Sequence, residues 1–358
     1  MKNAQLMTWM LSATVSAGIA ANAFAATPPA TPAPPAVPVN PATPATTAAP
    51  ATPAAAAAQG LAADGVNDAA LVATVGPKSQ GAATLRAQIL LDRARFSPGE
   101  IDGAYGSNVQ RAIAGFQANN DIKPSGVIDA ATWTALNRDT APALVNHVLS
   151  AEDVAGPFTV IPADMMEKSK LPALGYTSAL EALGEKFHAS PKLLQKLNPG
   201  QDFSKAGVAI VVPSVESTAL AGVAKVVVDK SAHTVSLLDA ADKVLAQYPA
   251  STGSVHDPLP VGAWKIKGVA KNPEFHYNPG LFWDANAGHS KATIKPGPNN
   301  PVGVVWMDLS KEHYGIHGTP EPSKIGKTES HGCIRMTNWS AQAMSQALTP
   351  GMPALLQD

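Results

Sequence analysis

Cys333 is the only cysteine in the 358-residue sequence. It stands in Ser330-His331-Gly332-Cys333-Ile334-Arg335, sixteen positions after His317. These types suit acyl transfer. The thiolate is the nucleophile, and a free thiol with a pKa of about 8.5 is mostly protonated at neutral pH. A neighbouring imidazole corrects this by taking the proton and later returning it to a leaving amine. Gly332, lacking a side chain, lets a substrate carbonyl approach the backbone, where amide N–H groups can form an oxyanion hole. Arg335 supplies a cation for a carboxylate. Two other readings stand beside this one. A lone cysteine is often a small core hydrophobe. A zinc site from His313, His317, His331 and Cys333 is the second, although the spacing matches no common zinc pattern and no paired cysteines or HExxH run accompanies it.

The elements around these residues must bring them together. From Lys225 the apolar period is two. It predicts strands over 226–229, 234–239, 244–248, 263–269, 302–308 and 314–317, a helix over 340–348 and a last strand over 352–356. Short strands split by turns suggest an all-β sandwich or barrel. His317 would end one strand, and a loop with turn formers would return the chain to Cys333. The irregular stretch 272–300 is too long for an idle connection, and such loops usually line a site.

Upstream, Leu85, Ile89 and Leu90, then Val109, Ile113 and Phe116, fall at helical spacing, and Asp129 is a good N-cap for a helix carrying Trp133 and Leu136. The segment 80–138 is therefore a small helical domain. In 153–214, Ser178-x-x-Glu181 is a capping box, Ser190-Pro191 opens a second helix, and 208–212 is a short strand. The nearest partner strand for it is 158–161.

The front of the chain is of another kind. Lys2, an apolar run over 6–21 and Ala23-Phe24-Ala25 read as a secretory signal cleaved after Ala25, with a transmembrane anchor as the alternative. Ten prolines then fall in 26–58, among little but Ala and Thr. No core can form there, so 26–79 is expected to be an extended linker. In an exporting compartment cysteines usually pair, and Cys333 has no intramolecular partner. A net charge of −1 offers no field to draw nucleic acid or an anionic membrane.

HGTPEPSKIGKTESHGCIRM at 317–336, with PNNPVGVVWMDLS upstream, resembles the signature of the L,D-transpeptidase (YkuD) catalytic domain, and the similarity extends over 223–358. PGEIDGAYGSNVQRAIAGFQANNDIKPSGVIDAATWTAL in the helical segment resembles a peptidoglycan-binding domain, and 153–214 looks like a LysM module. The resemblance implies a multi-domain α+β protein: helical peptidoglycan-binding domain, α/β LysM-like module, mainly-β catalytic domain. It implies Cys333 as nucleophile and His317 as general base and acid. Ser330, His331, Gly332 and Arg335 become the surrounding motif residues, and the Gly318 carbonyl the orienter of His317. The implied reaction is a thioester at the third stem residue, loss of terminal D-Ala and transfer to an amine, without a cofactor. Stem peptides and glycan are the expected partners, with an outer-membrane lipoprotein as one acceptor such enzymes use. Carbapenems would acylate Cys333. An L,D-carboxypeptidase and an idle wall-binding anchor are the alternatives. An exported wall enzyme of this kind belongs in the periplasm.

Overall fold

The computed structural model describes residues 61–358. The expected signal peptide and the front of the expected linker, 1–60, lie outside the described residues.

Residues 61–79 depart from the linker expectation. They form α1 (Ala63–Asn67) and a segment whose Val66 and Val75 are fully buried. Asn67 pairs both ways with the Leu144 backbone (2.8 and 2.9 Å), and Trp133 Nε1 donates to the Ala73 carbonyl at 2.9 Å. Composition misleads here because two valines suffice to anchor an Ala-rich segment when holes await them. The helical domain follows as α2 (Ala82–Arg93), α3 (Ser107–Asn119) and α4 (Ala130–Leu136). Asp129 caps α4 by accepting from Thr132 N, and Trp133 and Leu136 turn inward as the spacing predicts.

β1 (Leu144–Val148) lies between the two upstream segments read from the sequence and pairs antiparallel with β2 (Ala209–Pro213). The expected strand at 158–161 is absent. Only Leu144 of β1 is buried, so the strand shows no alternation to read. Between the pair run α5 (Met165–Lys168), α6 (Ala179–Lys186) and α7 (Pro191–Leu197), with Ser178 and Ser190 capping the last two. This α/β unit shares a core with the helical domain: Leu85, Ile89 and Ile101 pack with Leu183, Leu193, Leu194, Ile210 and Val212. At roughly 1.5–3 kcal/mol per buried Leu or Ile, the two upstream units are one folded body.

The C-terminal domain is one eight-stranded sheet of β3 (Lys225–Asp229), β4 (Thr234–Leu238), β5 (Val244–Pro249), β6 (Gly262–Lys271), β9 (Val305–Leu309), β10 (Gly315–His317), β11 (Ile334–Arg335) and β12 (Pro353–Gln357). A hairpin of β7 (Phe275–Tyr277) and β8 (Ala292–Ile294) stands outside it. The sheet order is β11-β10-β9-β6-β12-β3-β4-β5, with only β10–β11 and β12–β3 parallel. Just past β5, Ser251 N donates to Arg335 O (2.9 Å) and Arg335 N to Ser251 O (2.8 Å). The curled sheet thus closes on itself and leaves no free edge there. Val226, Val228, Val305, Met307, Ile316, Ile334 and Leu356 fill the interior, and α8 (Asn338–Ser345) adds Ala341 and Met344.

Candidate active site

The site lies on the outer face of β9 and β10. Val305, Met307 and Leu309 point into the core, so Trp306 between them points out, and it is paired in register with His317. Ile316 likewise points in, which turns Gly315 and His317 outward. Parallel pairing sets Ile316 against Ile334 and His317 against Arg335. One step back along that register Cys333 lies beside Gly315, and the thiol reaches the His313 carbonyl at 3.8 Å. Cys333 and His317 are therefore two residues apart on one face of adjacent strands. The thiol's own hydrogen bond goes to the His313 carbonyl rather than to the imidazole.

His317 Nδ1 lies 2.7 Å from the Gly318 carbonyl. A carbonyl only accepts, so the proton sits on Nδ1 and Nε2 is left bare. Trp306 stacks on the ring, centroids 5.4 Å apart at 16°. Burial pushes the His317 pKa down to about 4; the Gly318 bond opposes this, and the charge of Arg335 adds to it. Burial pushes the Cys333 thiol up, against the lowering pull of the Gly315 N–H and of Arg335. At neutral pH the resting pair is a thiol and a neutral imidazole.

The other motif residues are spread around this pair. Ser330 is buried; its Oγ donates to the Cys333 carbonyl at 2.5 Å and its N to Thr252 O at 2.8 Å, which fixes the cysteine's backbone. Gly332 has φ +95°, the left-handed region, and a Cβ there would come within 2.8 Å of Tyr314 Cε1. Gly332→Ala is expected to lower stability by about 1–3 kcal/mol and to slow turnover more than a comparable surface change does; thermal melts and rates on one preparation check it. His331 turns to the 278–290 loop: Nε2 meets Asp284 at 2.9 Å, and its ring touches Phe282 and Trp283. Its link is therefore to that loop, whereas an oxyanion-supporting residue would face the nucleophile. Arg335 Nη2 donates to Thr328 Oγ1 (3.3 Å) and to the Glu329 carbonyl, while its buried Nε has no protein partner. Among the described residues no group of three or more His, Cys, Asp or Glu side chains is placed to hold a metal ion, so the four residues of the zinc reading do not gather.

Several neighbours escape a sequence reading. Trp306 and Tyr314 flank the pair but read simply as strand residues. Asn338 sits against Gly318: its Oδ1 accepts from Val304 N (3.3 Å), and its Nδ2 donates to Pro298 O (3.1 Å) and to Glu185 Oε1 of α6 (2.7 Å). Burial raises the Glu185 pKa to about 7, helped by nearby Glu181 and opposed by the bonds from Asn338 and Tyr176. The folded state thus holds a proton that the unfolded chain releases, and stability falls as pH rises from about 4.5 to 7. Glu185→Gln, which still accepts from Asn338, is expected to raise the melting temperature at pH 8 by the equivalent of about 2–3 kcal/mol and to change little at pH 4. Melts at both values check this.

Residues 224–356 match the family model described as "L,D-transpeptidase catalytic domain", and 80–136 match "Putative peptidoglycan binding domain". The Bacillus licheniformis protein named "Putative L,D-transpeptidase YkuD" is 30% identical over 161 residues, which cover 44% of this chain and 81% of that protein. The Bacillus subtilis protein of the same name is 31% identical over 160 residues, again covering 44% and 81%. The chain belongs to the YkuD family of L,D-transpeptidases. It is accordingly an L,D-transpeptidase with an N-terminal peptidoglycan-binding domain, and peptidoglycan is its partner. Among solved structures, an L,D-transpeptidase from Xylanimonas cellulosilytica aligns at 15% identity and TM-score 0.35, covering 78% of this chain and 95% of that one. One from Mycobacterium smegmatis aligns at 22% and 0.31, covering 42% and 66%. Among the described residues no helix is long and apolar enough to cross a membrane.

Proposed function

We propose that this L,D-transpeptidase works through a thioester on Cys333, with His317 as general base and then general acid. The observation that carries the reading is an imidazole whose Nδ1 lies 2.7 Å from the Gly318 carbonyl, an arrangement that leaves Nε2 free, on the same face as the only cysteine. Nε2 takes the thiol proton as sulfur adds to the carbonyl of the third stem residue, a diamino acid. Backbone N–H groups at Gly332 and Cys333 stabilise the oxyanion. Collapse breaks the peptide bond, and imidazolium returns its proton to the nitrogen of the departing D-Ala. An acceptor amine then attacks the thioester, losing its proton to Nε2, and the thiol is regenerated. The unpartnered Arg335 Nε supports a role in holding a substrate carboxylate. The organic steps need no cofactor, because the thioester stores the acyl group.

The upstream body supports delivery of the enzyme to the wall. Its β1-α6-α7-β2 order, strand-helix-helix-strand with one extra helix, supports reading it as a LysM-like glycan binder. The first strand is Leu144–Val148, so such a module starts ahead of residue 153. Both matched domains concern peptidoglycan, which with the signal-like N-terminus supports export to the periplasm. The acceptor is a second stem's diamino acid, giving 3→3 crosslinks, or a lipoprotein amine. Carbapenems, as acylating agents, are expected to modify Cys333.

The test is incubation with purified disaccharide-tetrapeptide and mass spectrometry of the products. Dimers lacking one terminal D-Ala establish crosslinking. Tripeptide monomers without dimers make water the acceptor in that mixture and favour the carboxypeptidase alternative. Unchanged substrate contradicts both.

A further inference from the structure

The loop joining His317 to Cys333 is not held by the catalytic barrel alone. At its midpoint, Gly326 N donates to Ser251 Oγ (3.0 Å) on the barrel seam. The two carbonyls there face away from the barrel, toward α3 of the helical domain. Asn108 Nδ2 donates to Ile325 O at 2.8 Å, and Arg111 Nη1 donates to Gly326 O at 3.2 Å and to Asn108 Oδ1 at 3.0 Å. Both Asn108 and Ile325 are buried. Gly326 has φ +72°, and its missing side chain leaves the space that Asn108 Oδ1 occupies. Further contacts fix the helical domain to the barrel. Gln247 Nε2 of β5 donates to Arg111 O (3.0 Å), Ser97 N to Gln247 O (2.9 Å) and Gln247 N to Arg95 O (2.8 Å).

We propose that Asn108 and Arg111 are positioning residues for the reaction: the helical domain clamps the loop that sets Cys333 against His317. Neither side chain touches the reacting atoms. The parallel pair β10–β11 is only two residues deep, so two backbone pairs and the loop between them fix the distance from sulfur to imidazole. Ser330 and Arg335 tie the loop's C-terminal end to the barrel seam, and Asn108 with Arg111 tie its centre. Without the clamp the two carbonyls lose buried donors, the loop relaxes, and sulfur and Nε2 meet in a smaller share of molecules. Misplacement by about 1 Å is enough to cost on the order of 100-fold in rate. The domain matched as peptidoglycan-binding is on this account also part of the catalytic apparatus, and the barrel excised without it would be a poor enzyme.

The inference rests on the Cys333–His317 reading, so the experiment separates the two. In the full chain, Asn108→Ala, Asn108→Asp, Arg111→Ala, Arg111→Lys and Cys333→Ala are compared for kcat and KM on tetrapeptide. Melting temperature and the pH profile of Cys333 alkylation by iodoacetamide are read on the same preparations. The expected result is a fall in kcat of about 10- to 100-fold for Asn108→Ala and Arg111→Ala, with KM within about twofold and a shifted alkylation profile. Arg111→Lys, which keeps a donor for Gly326 O, recovers most of the rate. Asn108→Asp, which keeps the shape but loses the donor, does not. If buried Asn108 variants fail to fold, the half-buried Arg111 pair decides alone. Wild-type kcat and alkylation in Arg111→Ala, with Cys333→Ala inactive, overturns the clamp and leaves the catalytic reading standing. Full activity in Cys333→Ala overturns both.

Discussion

Cys333→Ala is expected to bring acyl transfer to the background rate, a loss of at least about 10⁴-fold, while the protein stays folded and still binds wall. The change removes one sulfur from a partly exposed position whose thiol donates a single 3.8 Å hydrogen bond to a backbone carbonyl. Such a truncation costs at most about 1 kcal/mol of stability. The sequence has no second cysteine, and the neighbouring Ser330 is buried with its hydroxyl committed to the Cys333 carbonyl. Sedimentation with purified sacculi, run beside the rate assay, separates wall binding from turnover. Activity retained in the variant would sink the proposed mechanism.

His317→Ala is expected to lower kcat by about 10²–10⁴-fold, the usual contribution of a positioned acid–base group. The pH dependence carries more information than the loss itself. Because burial holds His317 near 4, its basic form persists through the whole neutral range, and the acid limb of kcat/KM should fall near pH 4 instead of 6.5. The raised thiol keeps Cys333 protonated until well into alkaline solution, so alkylation in His317→Ala should be slow at pH 7 and recover as pH rises. The same shift predicts acid lability. The unfolded imidazole binds a proton below about 6.5 and the folded one only below about 4, so stability is lost as pH falls through that window. A wild-type acid limb near 6.5, or alkylation indifferent to His317, would contradict this account.

How much of this was legible depended on whether a residue's cause was local. Val226, Val228, Val305, Met307 and Ile316 alternate with outward residues, and their strands fall within a few positions of where the period of two puts them. Asp129 and Ser190 announce helix starts because capping is decided within three residues. The catalytic motif was legible for the same reason, all its parts lying within twenty positions. β1 was not, because Leu144 is its only buried residue and its partner lies some sixty positions on. Nor were β7 and β8: three-residue strands carry no period, and they are held by Leu174, Ile161 and Met165 from another part of the chain. Asn338 against Glu185, and Asn108 against Ile325, are contacts between distant segments. No local pattern encodes them. His331 shows the converse limit, since a motif names a residue without saying which way it faces, and here it faces Asp284.

A thioester mechanism requires that Cys333 carry the acyl group during turnover. Rapid mixing of the full chain with disaccharide-tetrapeptide in the absence of an acceptor amine, an acid quench and peptide-level mass spectrometry test it directly. The expected product is a peptide containing Cys333 heavier by the disaccharide-tripeptide acyl group, labile to hydroxylamine and absent in Cys333→Ala. Turnover that proceeds with no adduct at Cys333, or with the acyl group on another residue, would contradict it.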